Sequence, residues 1–361
     1  MDQKLIDKLL KREKEGTLRS LSHLEGFTDF FSNDYLGLSK IKLKDVGSNV
    51  GSTGSRLISG NSIRKLNVED DLAYFFNSSA ALMFNSGYDA NLGLFGCVPQ
   101  RGDTILYDEY IHASVRDGIQ LSHANSFSFK HNDCESLESK LKLSKGTIYV
   151  AVEGLYSMDG DVPPLIDFLN LCDNYGAKMI IDEAHSAGIY GHQGKGLIVK
   201  YGLEKSVFAR LVTFGKAYGS HGAVVLGSKK LIDYLINFSR SFIYTTALPD
   251  AVFEHNSIIV RDNSIDPERV KLQVNIDYFR ENYKSSKFIS DSQSPIQIVE
   301  LGSIERTRFL SGKLQHNKVG VKPIYSPTVP VGKERIRLCL HSTNSKREID
   351  ELVEGLLHDN E

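Results

Sequence analysis

Between residues 62 and 240, short runs of apolar and β-branched residues alternate with segments of helical periodicity. Continuous apolar runs are typical of strands buried on both faces, and strands that alternate with helices form a largely parallel sheet. Ligands in such folds bind beyond the carboxyl ends of the strands. The sequence therefore predicts an α/β fold with its functional site at that edge. The predicted strands are 80–84, 104–107, 147–152, 179–181, 209–213 and 223–227, and the predicted helices are 64–76, 113–122, 135–143 and 164–175.

Two charged residues fall at the ends of predicted strands. Asp182 directly follows the apolar residues 179–181, and Lys216 lies just past the strand at 209–213, between Gly215 and Ala217. Pyridoxal phosphate chemistry requires a lysine that forms an imine with the cofactor, and an acid that keeps the pyridine nitrogen protonated. The pair therefore predicts a pyridoxal phosphate enzyme.

Each residue of this pair has a simpler interpretation when it is taken alone. Most lysines are solvated, and aspartate is common as the N-cap of a helix. The acidic strand end 182–185 is also typical of helicases and ATPases, but these need a phosphate loop of the form GxxxxGK[ST]. The sequence has no such loop, since 191–196 does not fit the pattern. The pairing of a lysine with an acid favours pyridoxal phosphate.

Further polar residues follow the predicted strands. Gly87 and Tyr88 open a helix after strand 80–84, so their amides can bind a phosphate at a helix N-terminus, and Thr213 offers a hydroxyl to the same group. An ordinary left-handed turn explains Gly87 equally well. His112 can stack on a cofactor ring and donate a proton, or it can be a core or surface histidine.

Two arginines are candidates for binding a substrate carboxylate. Arg335 and Arg337 alternate with apolar residues in one predicted strand, and arginine binds carboxylates through two parallel hydrogen bonds. Both side chains point to the same face because a strand has a period of two residues. The sequence alone leaves the choice between them open.

Composition and charge exclude several classes of protein. The net charge of −2 provides no general attraction to nucleic acid or anionic membranes. No apolar stretch approaches the roughly 20 residues that span a bilayer, and the N-terminus lacks the apolar core of a signal peptide. The four cysteines have neither metal-ligand spacing nor the density of a disulfide framework. We therefore expect a cytoplasmic protein with no bound metal.

The length of 361 residues predicts more than one domain. We predict an N-terminal arm (1–45) with an amphipathic helix at 3–15, a large cofactor-binding domain (46–255) and a small C-terminal α+β domain (256–361). A helix at 252–275 is predicted to link the last two. The small domain should contain strands at 295–301 and 335–340, a helix at 303–316 and a final helix whose capping box is formed by Ser345 and Glu348.

A series of segments resembles, in order and spacing, the motifs of the α-oxoamine synthase family of fold-type I pyridoxal phosphate enzymes. The resemblance covers nearly the whole chain. It implies a fold-type I transferase with a mostly parallel sheet in its large domain and a smaller C-terminal α+β domain. The segments are 32–38, 51–60, 86–88, 112–114, 153–160, 182–185, 213–219 and 327–330.

The resemblance also implies roles for single residues. Lys216 is expected to form the imine with the cofactor and to take the Cα proton of the substrate, and Asp182 to pair with the ring nitrogen. His112 is expected to stack on the ring, and His185 to bind its phenolic oxygen. The expected cofactor-binding set is Gly87, Tyr88, His112, Ser157, Asp182, His185, Thr213, Lys216 and, from a partner subunit, Thr246; the expected substrate-binding set is Arg19, Asn33, Thr328 and Arg337.

Within the family, segments 51–57 and 156–159 and the short N-terminal arm favour the members of the biotin pathway. These condense L-alanine with a pimeloyl thioester, carried on CoA or on an acyl carrier protein, and act as homodimers with the active site between subunits. Two departures concern the acyl donor. Tyr325-Ser326 stands where many of these members have an arginine-proline pair, and His221 occupies a position that is often small.

Three alternatives stay open. Other members of the family condense glycine with acetyl-CoA or succinyl-CoA, or serine with palmitoyl-CoA. A fold-type I aminotransferase or lyase would release no CoA. A non-catalytic subunit, as occurs in some heteromeric relatives, would be expected to lack the imine-forming lysine, whereas Lys216 is present.

Overall fold

The structure is a computed structural model that describes residues 2–21, 23, 25–40, 49–284 and 292–357. The chain forms two compact units. The sheet unit comprises Leu36–Ser157 and Val162–Pro267, and the terminal unit comprises Met1–Tyr35, Met158–Asp161 and Glu268–Glu361. The predicted domain boundary at residue 45 lies outside the described residues. The division into 1–45, 46–255 and 256–361 stays a prediction.

The helices and strands follow one another along the chain in the order expected for an α/β protein. The strands are β1 (Thr28–Asp29), β2 (Ala80–Phe84), β3 (Thr104–Asp108), β4 (Asn125–Phe129), β5 (Ile148–Glu153), β6 (Lys178–Asp182), β7 (Ala209–Thr213), β8 (Ala223–Gly227), β9 (Ile296–Glu300), β10 (Val319–Gly320), β11 (Lys322–Ile324) and β12 (Arg335–Cys339). The helices are α1 (Gln3–Lys14), α2 (Ile63–Phe75), α3 (Gly87–Cys97), α4 (Ala113–Leu121), α5 (Cys134–Leu141), α6 (Leu165–Asn174), α7 (Leu197–Lys200), α8 (Lys229–Phe238), α9 (Arg240–Ile243), α10 (Asp250–Arg261), α11 (Asp266–Asn282), α12 (Ile304–His316) and α13 (Lys346–Leu357).

A central sheet organises the sheet unit, with the strand order β2-β8-β7-β6-β5-β3-β4. The pairings from β4 to β7 are parallel, whereas β8 is antiparallel to both of its neighbours. The predicted mostly parallel α/β sheet is confirmed. Successive residues of β3 serve opposite faces: Ile105 packs in a core with residues of α3, α4 and α8, and Leu106 packs in a core with residues of α5, α6 and α7. This alternation follows from the two-residue period of a strand.

Four of the parallel strands end on polar residues that are buried. These residues are Asp108 on β3, Glu153 on β5, Asp182 on β6 and Thr213 on β7. Burying polar groups is unfavourable unless they find hydrogen-bond partners. The carboxyl edge of the sheet is therefore where buried polar side chains are concentrated.

The differences from the predictions include one helix that is broken and one central strand that was not predicted. The segment predicted as one helix at 252–275 contains two, α10 and α11, because Asp262 is extended and its side chain accepts a hydrogen bond from Ser264 N at 2.9 Å. Pro267 supports the new start, since proline suits the first turn of a helix. Strand β4 was not predicted because most of its residues are exposed and several are polar, so it carries no apolar run.

The terminal unit contains the antiparallel sheet β11-β12-β9 and the short parallel pair β1-β10. The predicted capping box of α13 is confirmed: Ser345 N donates to Glu348 Oε2 at 2.7 Å, and Glu348 N donates to Ser345 Oγ at 3.3 Å. Helix α1 confirms the amphipathic helix predicted at 3–15. Within the described ranges of the chain, no helix is long and apolar enough to cross a membrane.

Candidate active site

Asp182 is held at the end of β6 by two hydrogen-bond donors. Ala184 N donates to its Oδ1 at 2.9 Å, and Asn91 Nδ2 donates to its Oδ2 at 2.8 Å. Its side chain is only 8% exposed. Hydrogen bonds to a carboxylate favour its charged form. The site therefore contains a buried negative charge in a fixed orientation.

Lys216 reaches the same place from the loop that follows β7. Its Nζ lies 2.7 Å from His185 Nε2, and His185 is itself buried. The loop is closed by a hydrogen bond from Gly219 N to Lys216 O at 2.8 Å. Gly219 has a φ of +60°, and a Cβ atom there would overlap the backbone of Leu38 and Ser39, so this turn requires glycine.

His112 is the N-cap of α4, and its orientation is set by its Nδ1. Ser114 N donates to Nδ1 at 3.2 Å, which requires Nδ1 to be unprotonated. Burial lowers the pKa of His112, and the nearby positive charge of Lys216 acts in the same direction, against Asp182 and Asp117. A neutral imidazole with an accepting Nδ1 carries its proton on Nε2. His112 is therefore a neutral donor through Nε2.

A chain of polar side chains connects Asp182 with His112. Asn91 Nδ2 donates to Asp182 Oδ2 and also to Ser114 Oγ at 3.0 Å, and Ser114 Oγ lies 2.8 Å from His112 Nδ1. Neither Asn91 nor Ser114 was predicted as a site residue. Asn91 follows Gly87 by one helical turn on α3, and this spacing is the sequence signal that could have identified it.

The first turn of α3 provides the expected anion site. Ser86 is its N-cap and accepts a hydrogen bond from Asp89 N at 3.1 Å, so Gly87 and Tyr88 occupy the first helical positions. Backbone N–H groups at these positions have no partner within a helix. A Cβ on Gly87 would meet Leu211 and Thr213 only at ordinary contact distances of 3.7 Å or more. Glycine is therefore not needed at this position to avoid an overlap.

One cavity of about 160 Å³ brings most of the predicted residues together. Its lining includes the whole predicted cofactor-binding set except Ser157 and Thr246. Ser157 is buried in the loop after β5. Thr246 is exposed, and its carbonyl accepts a hydrogen bond from Asn85 Nδ2 at 3.0 Å. Glu153 also lines the cavity, although it was predicted only as part of segment 153–160 and was given no role.

The predicted substrate-binding residues form two pairs within the terminal unit. Arg337 Nη2 donates to Asn33 Oδ1 at 3.0 Å, and Arg19 Nη2 donates to Thr328 Oγ1 at 3.4 Å. Arg335 differs from Arg337 in its partners, because its Nη1 lies 2.7 Å from Asp159 Oδ1. Both arginine side chains of β12 are buried.

Comparisons with known proteins agree on one family. Residues 25–356 match the model of the class I and II aminotransferases. The chain is 38% identical to 8-amino-7-oxononanoate synthase from Emericella nidulans, and the match covers 98% of this chain and 94% of that protein. The structure of 8-amino-7-oxononanoate synthase from Francisella tularensis is 29% identical with a TM-score of 0.77, covering 93% of this chain and all of that one. Serine palmitoyltransferase from S. paucimobilis, solved with bound pyridoxal phosphate and myriocin, is 25% identical with a TM-score of 0.88, covering 99% and 96%.

The chain belongs to the class I and II aminotransferase family, whose solved members include enzymes with bound pyridoxal phosphate. Within this family it groups with the α-oxoamine synthases, and its curated relatives include 8-amino-7-oxononanoate synthases. The predicted family, fold and cofactor are confirmed.

The residues of the cavity fit pyridoxal phosphate. The cofactor needs an amine for its aldehyde, an anion for its ring nitrogen and N–H donors for its phosphate. Lys216, the buried carboxylate of Asp182 and the first turn of α3 supply these three, and all of them line the same cavity. In addition, Asn91 Oδ1 is buried without a hydrogen-bond partner in the described part of the chain. Buried acceptors are normally hydrogen-bonded, and a ligand bound in the cavity can supply this missing partner.

Proposed function

We propose that this protein carries out the reaction of the 8-amino-7-oxononanoate synthases, the decarboxylating condensation of L-alanine with a pimeloyl thioester. The observation that carries the proposal is the cavity in which Lys216, Asp182, His112 and His185 meet. It occurs in a chain that is 35–38% identical to these enzymes over most of its length. The overall reaction joins the Cα of alanine to the acyl carbon and releases CO2 and a thiol.

When bound, pyridoxal phosphate supplies an electron sink that stabilises negative charge at the Cα of the amino acid. Asp182 provides the anion that keeps the ring nitrogen protonated, since its two donors stabilise its charged form. Lys216 holds the cofactor and then removes the Cα proton with its Nζ. His185 orients that amine through the contact of 2.7 Å. The one role of Asp182, the two of Lys216 and the one of His185 need no residue outside the sheet unit.

His112 is assigned the acyl side of the reaction. Its Nε2–H can donate a hydrogen bond to the thioester oxygen as negative charge develops there. The chain Asp182–Asn91–Ser114–His112 keeps the imidazole in the tautomer that can donate. A neutral donor is preferable at this point because a positively charged imidazole would repel the protonated ring and compete with it for Asp182.

We assign the substrate carboxylate to Arg337 rather than Arg335. Arg335 already faces Asp159 at 2.7 Å and Glu300 at 3.8 Å, so its charge is compensated within the terminal unit. Arg337 donates to the amide oxygen of Asn33 at 3.0 Å and to Cys339 Sγ at 2.9 Å. A substrate carboxylate is a better acceptor than either of these groups.

The remaining predicted roles belong to the same proposal. Gly87, Tyr88 and Thr213 bind the phosphate, with Thr246 supplied by a partner subunit of a homodimer. Ser157 contacts the cofactor, and Arg19 and Thr328 line the channel for the acyl chain. The protein works in the cytoplasm, and its acyl donor is pimeloyl-CoA or pimeloyl-acyl carrier protein.

The proposal is tested by a substrate panel on the purified holoenzyme. L-Alanine, glycine and L-serine are each added while the visible absorbance of the cofactor is followed, and then pimeloyl-CoA, acetyl-CoA or palmitoyl-CoA is added while free thiol is measured. We expect L-alanine to change the spectrum and only its combination with pimeloyl-CoA to release thiol rapidly. Rapid turnover of serine with palmitoyl-CoA would instead identify the serine palmitoyltransferase activity of the structural neighbours. A spectrum changed by L-alanine without thiol release from any thioester would indicate an aminotransferase or lyase.

A further inference from the structure

Glu153 is an acid in the cofactor cavity to which the mechanism above gives no role. It ends β5, its side chain is 3% exposed, and it lines the cavity together with Asp182 and Lys216. In the sheet ladder Glu153 is the register partner of Asp182. Partners in adjacent strands project their side chains to the same face. Two carboxyl groups therefore lie side by side in a buried place.

The two carboxyl groups differ in their hydrogen-bond partners. Both oxygens of Asp182 accept hydrogen bonds, from Ala184 N and from Asn91 Nδ2. Glu153 accepts from backbone N–H groups of His112 and Ser157, but its Oε1 is buried without a partner in the described part of the chain. Two adjacent buried carboxylates cannot both ionise without a large cost. Both oxygens of Asp182 have donors whereas Glu153 Oε1 has none, so Glu153 is the carboxyl group whose free oxygen can carry a proton.

The charged groups around Glu153 lead to the same assignment. Burial, and then the charge of Asp182 on β6, raise the pKa of Glu153 to about 8. Lys216, from the loop after β7, acts in the opposite direction, as do the two backbone donors. His112, which follows β3, is held neutral by burial and brings no compensating charge.

We propose that Glu153 is an uncharged carboxylic acid at neutral pH and acts as a positioning residue of the cofactor cavity. One of its oxygens joins the loops that bear His112 and Ser157. Its Oε1 then carries an O–H group that donates a hydrogen bond to an acceptor atom of the bound ligand. The assignment of that ligand as cofactor and amino acid rests on the proposed function, whereas the charge state of Glu153 does not.

The neutral state has a consequence for Lys216. A second carboxylate in the cavity would stabilise the protonated amine of Lys216 and oppose its action as a base. With Glu153 protonated, Lys216 faces the single carboxylate of Asp182, which is itself committed to the ring nitrogen. The same arrangement of a carboxylic acid kept neutral by its surroundings serves as a hydrogen-bond donor in other active sites.

The test uses Glu153→Gln, which keeps the shape, one acceptor oxygen and one donor, but cannot ionise. Glu135→Gln, at an exposed glutamate of the same unit, is the matched control. Infrared difference spectra of the apoproteins report the C=O stretch of a protonated carboxylic acid. We expect this band in the wild type at neutral pH, its loss in Glu153→Gln and its retention in Glu135→Gln. A wild type without the band at neutral pH would overturn the proposal.

The stability of the apoproteins provides a second readout. The folded pKa of Glu153 lies above its ordinary value of 4.5, so the folded state holds a proton that the unfolded state has lost. Stability therefore falls as pH rises from 4.5 towards 8, by up to about tenfold in the folding equilibrium constant per pH unit. We expect Glu153→Gln to lack this component and Glu135→Gln to retain it. Identical pH profiles of wild type and Glu153→Gln would contradict the assignment.

Cofactor affinity then separates a specific role from a general structural one. The affinity of the Glu153→Gln apoprotein for pyridoxal phosphate should stay within about threefold of wild type, whereas Glu153→Ala, which loses the acceptor and the donor, should bind at least about tenfold more weakly. An equal loss in both variants would overturn the role as donor. None of these readouts uses a thioester, so a protein that shows the band but does not convert alanine and pimeloyl-CoA would refute the substrate and leave the charge state standing.

Discussion

Arg210 and Glu183 form a buried ion pair next to the catalytic acid. Arg210 is 2% exposed and Glu183 is fully buried, and Arg210 Nε donates to Glu183 Oε2 at 2.7 Å. The other guanidinium donors bind the carbonyls of Phe76 and Lys195 at 2.8 and 2.7 Å. Glu183 also accepts a hydrogen bond from Ile198 N at 3.1 Å. The network fixes the turn between Asp182 and His185, because Glu183 belongs to that turn.

Replacing Arg210 with methionine should destabilise the protein by about 3–5 kcal/mol, because it leaves the Glu183 carboxylate buried without its partner. This is a large part of the total stability of an ordinary protein, about 5–15 kcal/mol. Arg347→Met is the matched control, since Arg347 Nε lies 2.9 Å from Glu351 Oε1 but the two side chains are 88% and 44% exposed. The Arg347→Met protein should lose about 0.5 kcal/mol or less of its unfolding free energy. The two pairs have similar distances, so the difference comes from burial and from the two carbonyls that Arg210 also binds.

The assay is denaturant unfolding of the apoproteins, followed by circular dichroism, because the bound cofactor would add its own stabilisation. The double variant Arg210→Met/Glu183→Leu should regain part of the lost stability, since neither charge is then buried alone. An Arg210→Met protein as stable as Arg347→Met would show that burial of the ion pair does not raise the cost of breaking it. A double variant that is less stable than Arg210→Met would contradict the predicted recovery.

Three further predictions concern the cofactor cavity. Lys216→Ala should abolish thiol release while the apoprotein still binds pyridoxal phosphate, as measured by turnover and by equilibrium dialysis; near-normal turnover would contradict the role of Lys216 as the base. Asp182→Asn keeps the shape but removes the charge, and should weaken cofactor binding by about 10- to 150-fold, the equivalent of ~1.5–3 kcal/mol; equal affinity in a titration of the apoprotein would argue against an ionised Asp182. Gly219→Ala should cost more stability than Gly176→Ala, since both glycines have a φ near +60° but only Gly219 would overlap neighbouring backbone; equal unfolding midpoints would show that the loop yields without cost.

The fold was predictable where local sequence determines burial. Strands β2, β7 and β8 begin and end at their predicted residues because each is a mostly apolar run, interrupted in β7 by Arg210, whose residues are nearly all buried. Strand β4 was not predicted because its pairing with β3 uses the backbone and most of its side chains are exposed. The break at Asp262 was missed because apolar residues on both sides of it have helical spacing. The helix ends there because the Asp262 side chain accepts a hydrogen bond from Ser264 N, which apolar periodicity does not report.

The site was predictable only in part, because some of its contacts depend on distant parts of the chain. Lys216 and Asp182 could be paired since both follow apolar runs that end at the same edge of the sheet. The position of Glu153 beside Asp182 depends on the register of β5 and β6, and the link from Asn91 to Ser114 depends on how α3 packs against α4. No pattern within a short window carries this information.

The most direct test of the proposed function is to follow the fate of the alanine carboxyl group. The holoenzyme is incubated with pimeloyl-CoA and L-alanine labelled at its carboxyl carbon, and labelled CO2, free thiol and the amino ketone product are measured together by mass spectrometry. The proposed reaction predicts equal amounts of all three, with no label in the product, and no release from the Lys216→Ala protein. Product that retains the carboxyl label, or thiol release that does not depend on L-alanine, would contradict it.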